Sequence, residues 1–146
     1  KIDVVETDHA PHTEAAKFKA EEENPEGIHD PEHTTCFGVP AIEFAGSLML
    51  YQEKQNRISL DRIEEAMSTR PAEIIGVKIS DKTRTIWDRT TGRIDWHTMA
   101  SRGSKAGWTP SMGMLGDGNV NTMFVGGKQI IDTEEQIART NRGKEI

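Results

Sequence analysis

Two successive glycines, Gly126-Gly127, separate the alternating run Val120-Asn121-Thr122-Met123-Phe124-Val125 from Lys128-Gln129-Ile130-Ile131. An alternating run, a two-residue glycine turn and a short returning segment together specify an antiparallel hairpin. Helical periodicity appears earlier in the chain. Ile42, Ala45, Leu48 and Met49 predict a helix over 41–52 with those residues as its apolar stripe. A second helix starts at Ser59, a good N-cap, with Asp61 in its first turn, Ile58 and Ile63 at the staple positions, and Ile63, Ala66 and Met67 facing inward. Pro71 opens a short further helix that Gly76 closes. The chain is therefore mixed α/β.

Ahead of the helices, Ile2, Val4 and Val5 predict a short, largely buried strand over 2–7. It is under way at the first residue, which reads as a segment continuing from something upstream. Residues 13–36 then form a long polar connection. Glu14 to Glu23 suit a solvated helix, whereas Pro25, Gly27 and Pro31 break regular structure. Lys82 to Trp87 suit a strand, 101–118 is rich in glycine and holds a proline, and the tail 133–146 is polar with no core stripe.

Charge narrows the classes of partner. The 146 residues carry 24 acidic and 18 basic side chains, a formal net charge of -6. That balance argues against a nucleic-acid backbone or an anionic membrane as main partner, since both need a basic face. No apolar run approaches the ~18–20 residues of a membrane span. A single cysteine, Cys36, excludes an internal disulfide and fits a reducing compartment. These features predict a soluble, cytoplasmic protein.

Thr7-Asp8-His9-Ala10-Pro11-His12 is the densest chemical signal. A carboxylate, two imidazoles and a proline-fixed turn at a strand end suit a metal or a polar substrate. The spacing alone equally allows Asp8 to cap a turn with both histidines as ordinary surface residues. Elsewhere, His29-Asp30-Pro31-Glu32-His33 with Cys36 matches no standard closed zinc spacing. The glycine-rich run Gly113 to Gly118 does not open a helix after a strand, as a phosphate cradle would. Trp87, Trp96 and Trp108 read as packing residues, and Cys36 as an inert thiol.

Asp8-His9-Ala10-Pro11-His12-Thr13 resembles the last-strand motif of dihydroorotases in the amidohydrolase superfamily. Phe37-Gly38-Val39-Pro40-Ala41-Ile42-Glu43, Arg57 to Arg62, Met67 to Ala72, Ser104-Lys105-Ala106-Gly107-Trp108-Thr109-Pro110 and the closing hairpin 122–131 resemble further family segments in order. Dihydropyrimidinases, hydantoinases and allantoinases are similar here but tend to differ at the position of His12. The resemblance implies the C-terminal part of a metal-dependent hydrolase (β/α)8 TIM barrel plus part of its small β-sandwich. Residues 1–76 would be the last barrel strand, active-site loop and C-terminal helices, 77–132 the return into the sandwich, and 133–146 a tail.

The resemblance also implies an activity, the reversible cyclisation of N-carbamoyl-L-aspartate to dihydroorotate in pyrimidine synthesis, with one or two zinc ions. Asp8 would bind metal and carry the proton, His12 would bind the substrate, Phe37 and Gly38 would touch its ring through the backbone, and His9 would support Asp8. The other metal ligands would precede Lys1, leaving this chain inactive alone. Implied partners are the upstream barrel segment and a homo-oligomer or a carbamoyltransferase. Two alternatives remain: a related cyclic-amide hydrolase, and a non-catalytic subunit scaffolding a carbamoyltransferase. Arg70 stands where an asparagine is common, the loop 13–36 is unusually long and acidic, and the glycine–aspartate element expected between Gly76 and Trp87 is not recognisable.

Overall fold

The computed structural model describes residues 2–23, 37–95, 105–132 and 137–138. The His29–Cys36 cluster and Trp96 lie outside them. The chain divides into two compact units, Lys1–Val5 with Leu50–Thr91 and Asp117–Ile146, and Glu6–Met49 with Gly92–Gly116. Its helices are α1 (Glu14–Glu23), α2 (Ile42–Lys54), α3 (Leu60–Glu64) and α4 (Arg70–Ile75), and its strands β1 (Arg84–Arg93), β2 (Leu115–Val125), β3 (Lys128–Asp132) and β4 (Ile137–Ala138). The strands form one sheet in sequence order.

In the first unit the expected hairpin is present. β2 and β3 pair antiparallel, Val125 opposite Lys128 and Met123 opposite Ile131, with a bulge between Met123 and Phe124. Gly126 and Gly127 both take positive φ, 57° and 84°, as a tight hairpin turn requires. The turn is tied down by the Gly126 amide donating to Thr83 Oγ1 and the Gly127 amide to the Lys82 carbonyl. The helical part ends α2 with Asn56 in the left-handed region, its amide bonded to the Glu53 carbonyl and that of Arg57 to Gln52. This is a Schellman closure in which asparagine takes the place of glycine.

Ser59 caps α3 as expected, its side chain accepting from the Arg62 amide. Gly76, at φ 75°, closes α4. Between α3 and α4 the helix continues through a π segment, Glu65–Thr69, which the periodicity did not reveal. Ile63, Ala66 and Ala72 are buried along this stretch.

Two expectations need correction. Residues 2–7 do not form a ladder strand, and Ile2 is 69% exposed rather than buried. Among the described residues no strand runs beside this segment. The Val5 amide instead donates to the Ala66 carbonyl, and Arg62 holds the Ile2 carbonyl. The stripe of α2 is also displaced. Phe44, Ser47 and Leu50 are the buried positions, while Ile42 is exposed. Ile42 to Leu50 is apolar nearly all round, so apolar spacing alone does not set the helix phase.

In the second unit, Phe44 and Ile94 form the core, with Leu48 and Met112 packed against them. Ile94 exchanges backbone hydrogen bonds with Met114 and Gly113. Thr13 caps α1, its hydroxyl accepting from the Ala16 amide and its carbonyl from the Lys17 amide. No helix among the described residues is long and apolar enough to cross a membrane.

Candidate functional site

The residues marked by sequence lie in the second unit, on two loops held side by side. The Ala10 amide donates to the Val39 carbonyl at 3.3 Å, and His9 and Val39 form a parallel bridge. Gly38 makes this approach possible. A Cβ built on it would stand 2.4 Å from the Ala10 Cβ and 2.6 Å from the Ala10 carbonyl oxygen, and its φ is +100°. Any side chain would overlap its neighbour and strain the backbone. The close approach seen at Gly38 is thus to the Ala10 main chain of the neighbouring loop.

Asp8 itself has φ 44°, a left-handed conformation that aspartate tolerates better than most residues. Its amide is directed at a carboxylate oxygen of Glu6, and it is exposed, as is Phe37 at 60%. His9 is half-buried. Its Nδ1 accepts hydrogen bonds from the Ala41 and Ile42 amides, at 3.1 and 3.2 Å. Ala41 has no side-chain acceptor with which to cap α2, and His9 fills that role from a distant part of the chain. Accepting at Nδ1 requires that nitrogen to be unprotonated, which leaves the ring proton on Nε2. Glu43 Oε2 lies 4.0 Å from the same Nδ1.

Sequence reasoning missed two residues that hold these loops. Trp108 Nε1 donates to the His12 carbonyl at 2.7 Å. Lys17 Nζ donates to the Gly38 carbonyl at 2.9 Å and lies 5.6 Å from the centroid of the Trp108 ring. Next to Trp108, the Thr109 hydroxyl donates to the Pro40 carbonyl at 3.0 Å. The signal for Trp108 was its place within Ser104–Pro110. Lys17 carried none, being one charge on a solvated helix.

The structure thus brings His9, His12, Gly38 and the Asp8 backbone turn into one neighbourhood. Chemically it offers a carboxylate, imidazoles and exposed loop backbone. Among the described residues no three His, Cys, Asp or Glu side chains are grouped to hold a metal ion. Asp8 fits as one ligand, but a catalytic zinc needs at least about three from protein.

A different polar cluster lies in the first unit. Asp117 is 1% exposed, yet Arg89 Nε and the Thr91 hydroxyl donate to its two oxygens, and Lys54 Nζ lies 3.4 Å away. Arg89 also reaches Glu53 Oε2 at 2.8 Å and the Leu50 carbonyl. Burial alone would push the Asp117 carboxyl up, but the hydrogen bonds from Thr91, Arg89 and Lys54 hold it below the ordinary aspartate value. Hydrogen bonding to Glu53 and Asp117 raises Arg89 further. All four charges have partners, as a structural network requires.

No family model matches the chain. Comparison with curated proteins finds several named dihydroorotase. That of Lactiplantibacillus plantarum is 33% identical over 92% of this chain and 30% of its own length. That of Pyrococcus furiosus is 29% identical over the whole chain and 32% of its own length. That of a Geobacillus species is 34% identical over 88% of the chain and 29% of its own length. The chain thus spans about a third of the curated relatives it matches.

Proposed function

The chain is a homologue of the dihydroorotases, and from that premise we propose that it supplies part of the active site of an enzyme interconverting dihydroorotate and N-carbamoyl-L-aspartate in pyrimidine synthesis. The observation that carries this reading is the seating of Gly38 on Ala10, which puts the Asp8–His12 turn beside the Phe37–Gly38 loop. In this reading residues 1–76 belong to the end of a (β/α)8 barrel, 77–132 to a small β-sandwich, and 133–146 to a tail.

Asp8 is the acid–base group. In hydrolysis its carboxylate takes a proton from the water that attacks the ring amide carbon. The carbon–nitrogen bond breaks, and Asp8 returns the proton to the leaving nitrogen; cyclisation is the reverse. His12 binds the substrate carboxylate, and Phe37 and Gly38 present backbone groups to the ring. His9 acts on Asp8 indirectly, by tying the turn to the start of α2. Zinc, with Asp8 as one ligand, would polarise the amide carbonyl and acidify the attacking water.

The experiment is turnover of dihydroorotate by a full-length dihydroorotase carrying this segment, with and without Asp8→Ala. The variant is expected to lose at least ~100-fold in kcat, the usual contribution of a general acid–base group. A variant keeping more than about a tenth of the activity would remove Asp8 from the role. A parent protein that turns over hydantoin or dihydrouracil but not dihydroorotate would replace the proposed substrate. One that binds a carbamoyltransferase without any turnover would replace the enzyme by a scaffold.

A further inference from the structure

Lys17 and Trp108 sit outside every role assigned above, yet each ends on one of the two site loops. Trp108 Nε1 donates to the backbone of His12, and Lys17 Nζ to the backbone of Gly38. The two also meet, the ammonium lying 5.6 Å from the indole centroid, within range of a cation–π contact. The result is a chain of contacts from the His12 carbonyl through indole and ammonium to the Gly38 carbonyl. It runs alongside the direct contact of Gly38 with Ala10.

We propose that Lys17 and Trp108 form a clasp that sets the separation of the two loops, and are positioning residues for the substrate contacts of His12 and Gly38. The proposal rests on the reading of those two residues as substrate-binding. α1 serves here as the mount for Lys17: Thr13 caps the helix directly after His12, so the ammonium emerges one turn along and folds back over the site. Both bonds are made to carbonyl oxygens, so the clasp constrains backbone while leaving the His12 imidazole and the Gly38 amide available to a ligand. A half-buried ammonium donating to a carbonyl beside an indole face is held by geometry that neither an alkyl chain nor a phenyl ring reproduces.

The test uses Lys17→Met, Lys17→Arg, Trp108→Phe and the Lys17→Met/Trp108→Phe double variant in the full-length protein. Amide hydrogen exchange without substrate is read at Ala10, whose acceptor is Val39, at Ala41, whose acceptor is His9, and at Leu48 within α2 as control. Lys17→Met and Trp108→Phe are expected to speed exchange at Ala10 and Ala41 about ten-fold or more, with Leu48 within about two-fold. The double variant should exceed the stronger single by no more than about two-fold, because both act on one clasp. KM for dihydroorotate should rise about five-fold in each single variant with kcat within about two-fold, and Lys17→Arg should recover most of it.

Unchanged exchange at Ala10 and Ala41 overturns the clasp, and so does an equal rise at Leu48, which marks general loosening. Faster exchange with an unchanged KM overturns the positioning role. If the unmutated protein does not turn over dihydroorotate, the proposed activity falls, while the exchange measurements still decide whether the clasp exists.

Discussion

Arg89 meets Asp117 through a single contact, the guanidinium Nε donating to Oδ2 of a carboxylate that is 1% exposed. Arg89 is itself about a third exposed, so its charge keeps part of its hydration while Asp117 gives up nearly all of its own. The pair is therefore asymmetric: the buried partner depends on the contact more than the exposed one does. Asp117→Ala should destabilise the protein by roughly 2–3 kcal/mol, below the usual range for a fully buried pair because Arg89 can return to water. Urea denaturation measures this, and a loss under about 0.5 kcal/mol, the scale of an ordinary surface change, would make the cluster an ornament of the fold.

The pH dependence follows from the sign of the shift. Asp117 has a folded value lowered from 3.8, so its contribution is fully present above the unfolded value and is lost as pH falls through the folded one. The stability difference between the unmutated protein and Asp117→Asn should hold steady from neutral pH to about pH 5 and shrink below about pH 4. A difference that grew on acidification would reverse the assignment.

Gly38→Ala should be costly although it adds a single methyl group. The residue would have to adopt φ +100° with its Cβ inside the contact distance of Ala10, a strain of about 1–3 kcal/mol before any overlap is relieved. Thermal unfolding together with substrate KM reads it. Unaltered stability and KM would mean that the two loops separate freely.

His12→Asn should weaken dihydroorotate binding about ten-fold more than binding of an analogue lacking the carboxylate, since a charge-assisted hydrogen bond contributes roughly 1.5–3 kcal/mol. Equal losses for both ligands would take His12 off the carboxylate. The imidazole is being tested here, because its carbonyl remains engaged by Trp108 in either case.

Residues 1–146 on their own should neither hydrolyse dihydroorotate nor retain zinc at one ion per chain through gel filtration. Asp8 stands without two further ligands grouped beside it among the described residues, and a catalytic zinc requires about three. Stoichiometric zinc after filtration would locate a site that the described residues do not contain.

Local chemistry was legible in the sequence wherever one or two residues decide the backbone. Gly126-Gly127 dictated a turn, and Ser59 and Gly76 the ends of helices, because capping and positive φ are properties of single residues. The phase of α2 was not legible, since Ile42 to Leu50 offers apolar groups on most sides and only tertiary packing selects Phe44. The segment Ile2–Thr7 looked like a strand because its side chains suit one, but a strand is defined by its neighbours. At the site, Asp8, His12 and Gly38 stood out by motif. Lys17 did not, and Trp108 stood in a family-like segment without a part of its own, because their parts arise from contacts across long stretches of chain. Asp117 lies in a glycine-rich run whose sequence only argues against a phosphate cradle. Burial gave that aspartate its meaning.

The contact between Ala10 and Gly38 bears on how such a site can change over time. Its spacing is set by the absence of one side chain and the smallness of another, so only the Ala10 methyl is left to trim and there is no room to add. Apart from Ala10→Gly, drift toward a larger substrate has no single-residue route through this seam. It would have to begin in the length of the loops themselves, by insertion or deletion, which makes the connection between His12 and Phe37 the place where relatives with other ring sizes should be expected to diverge first.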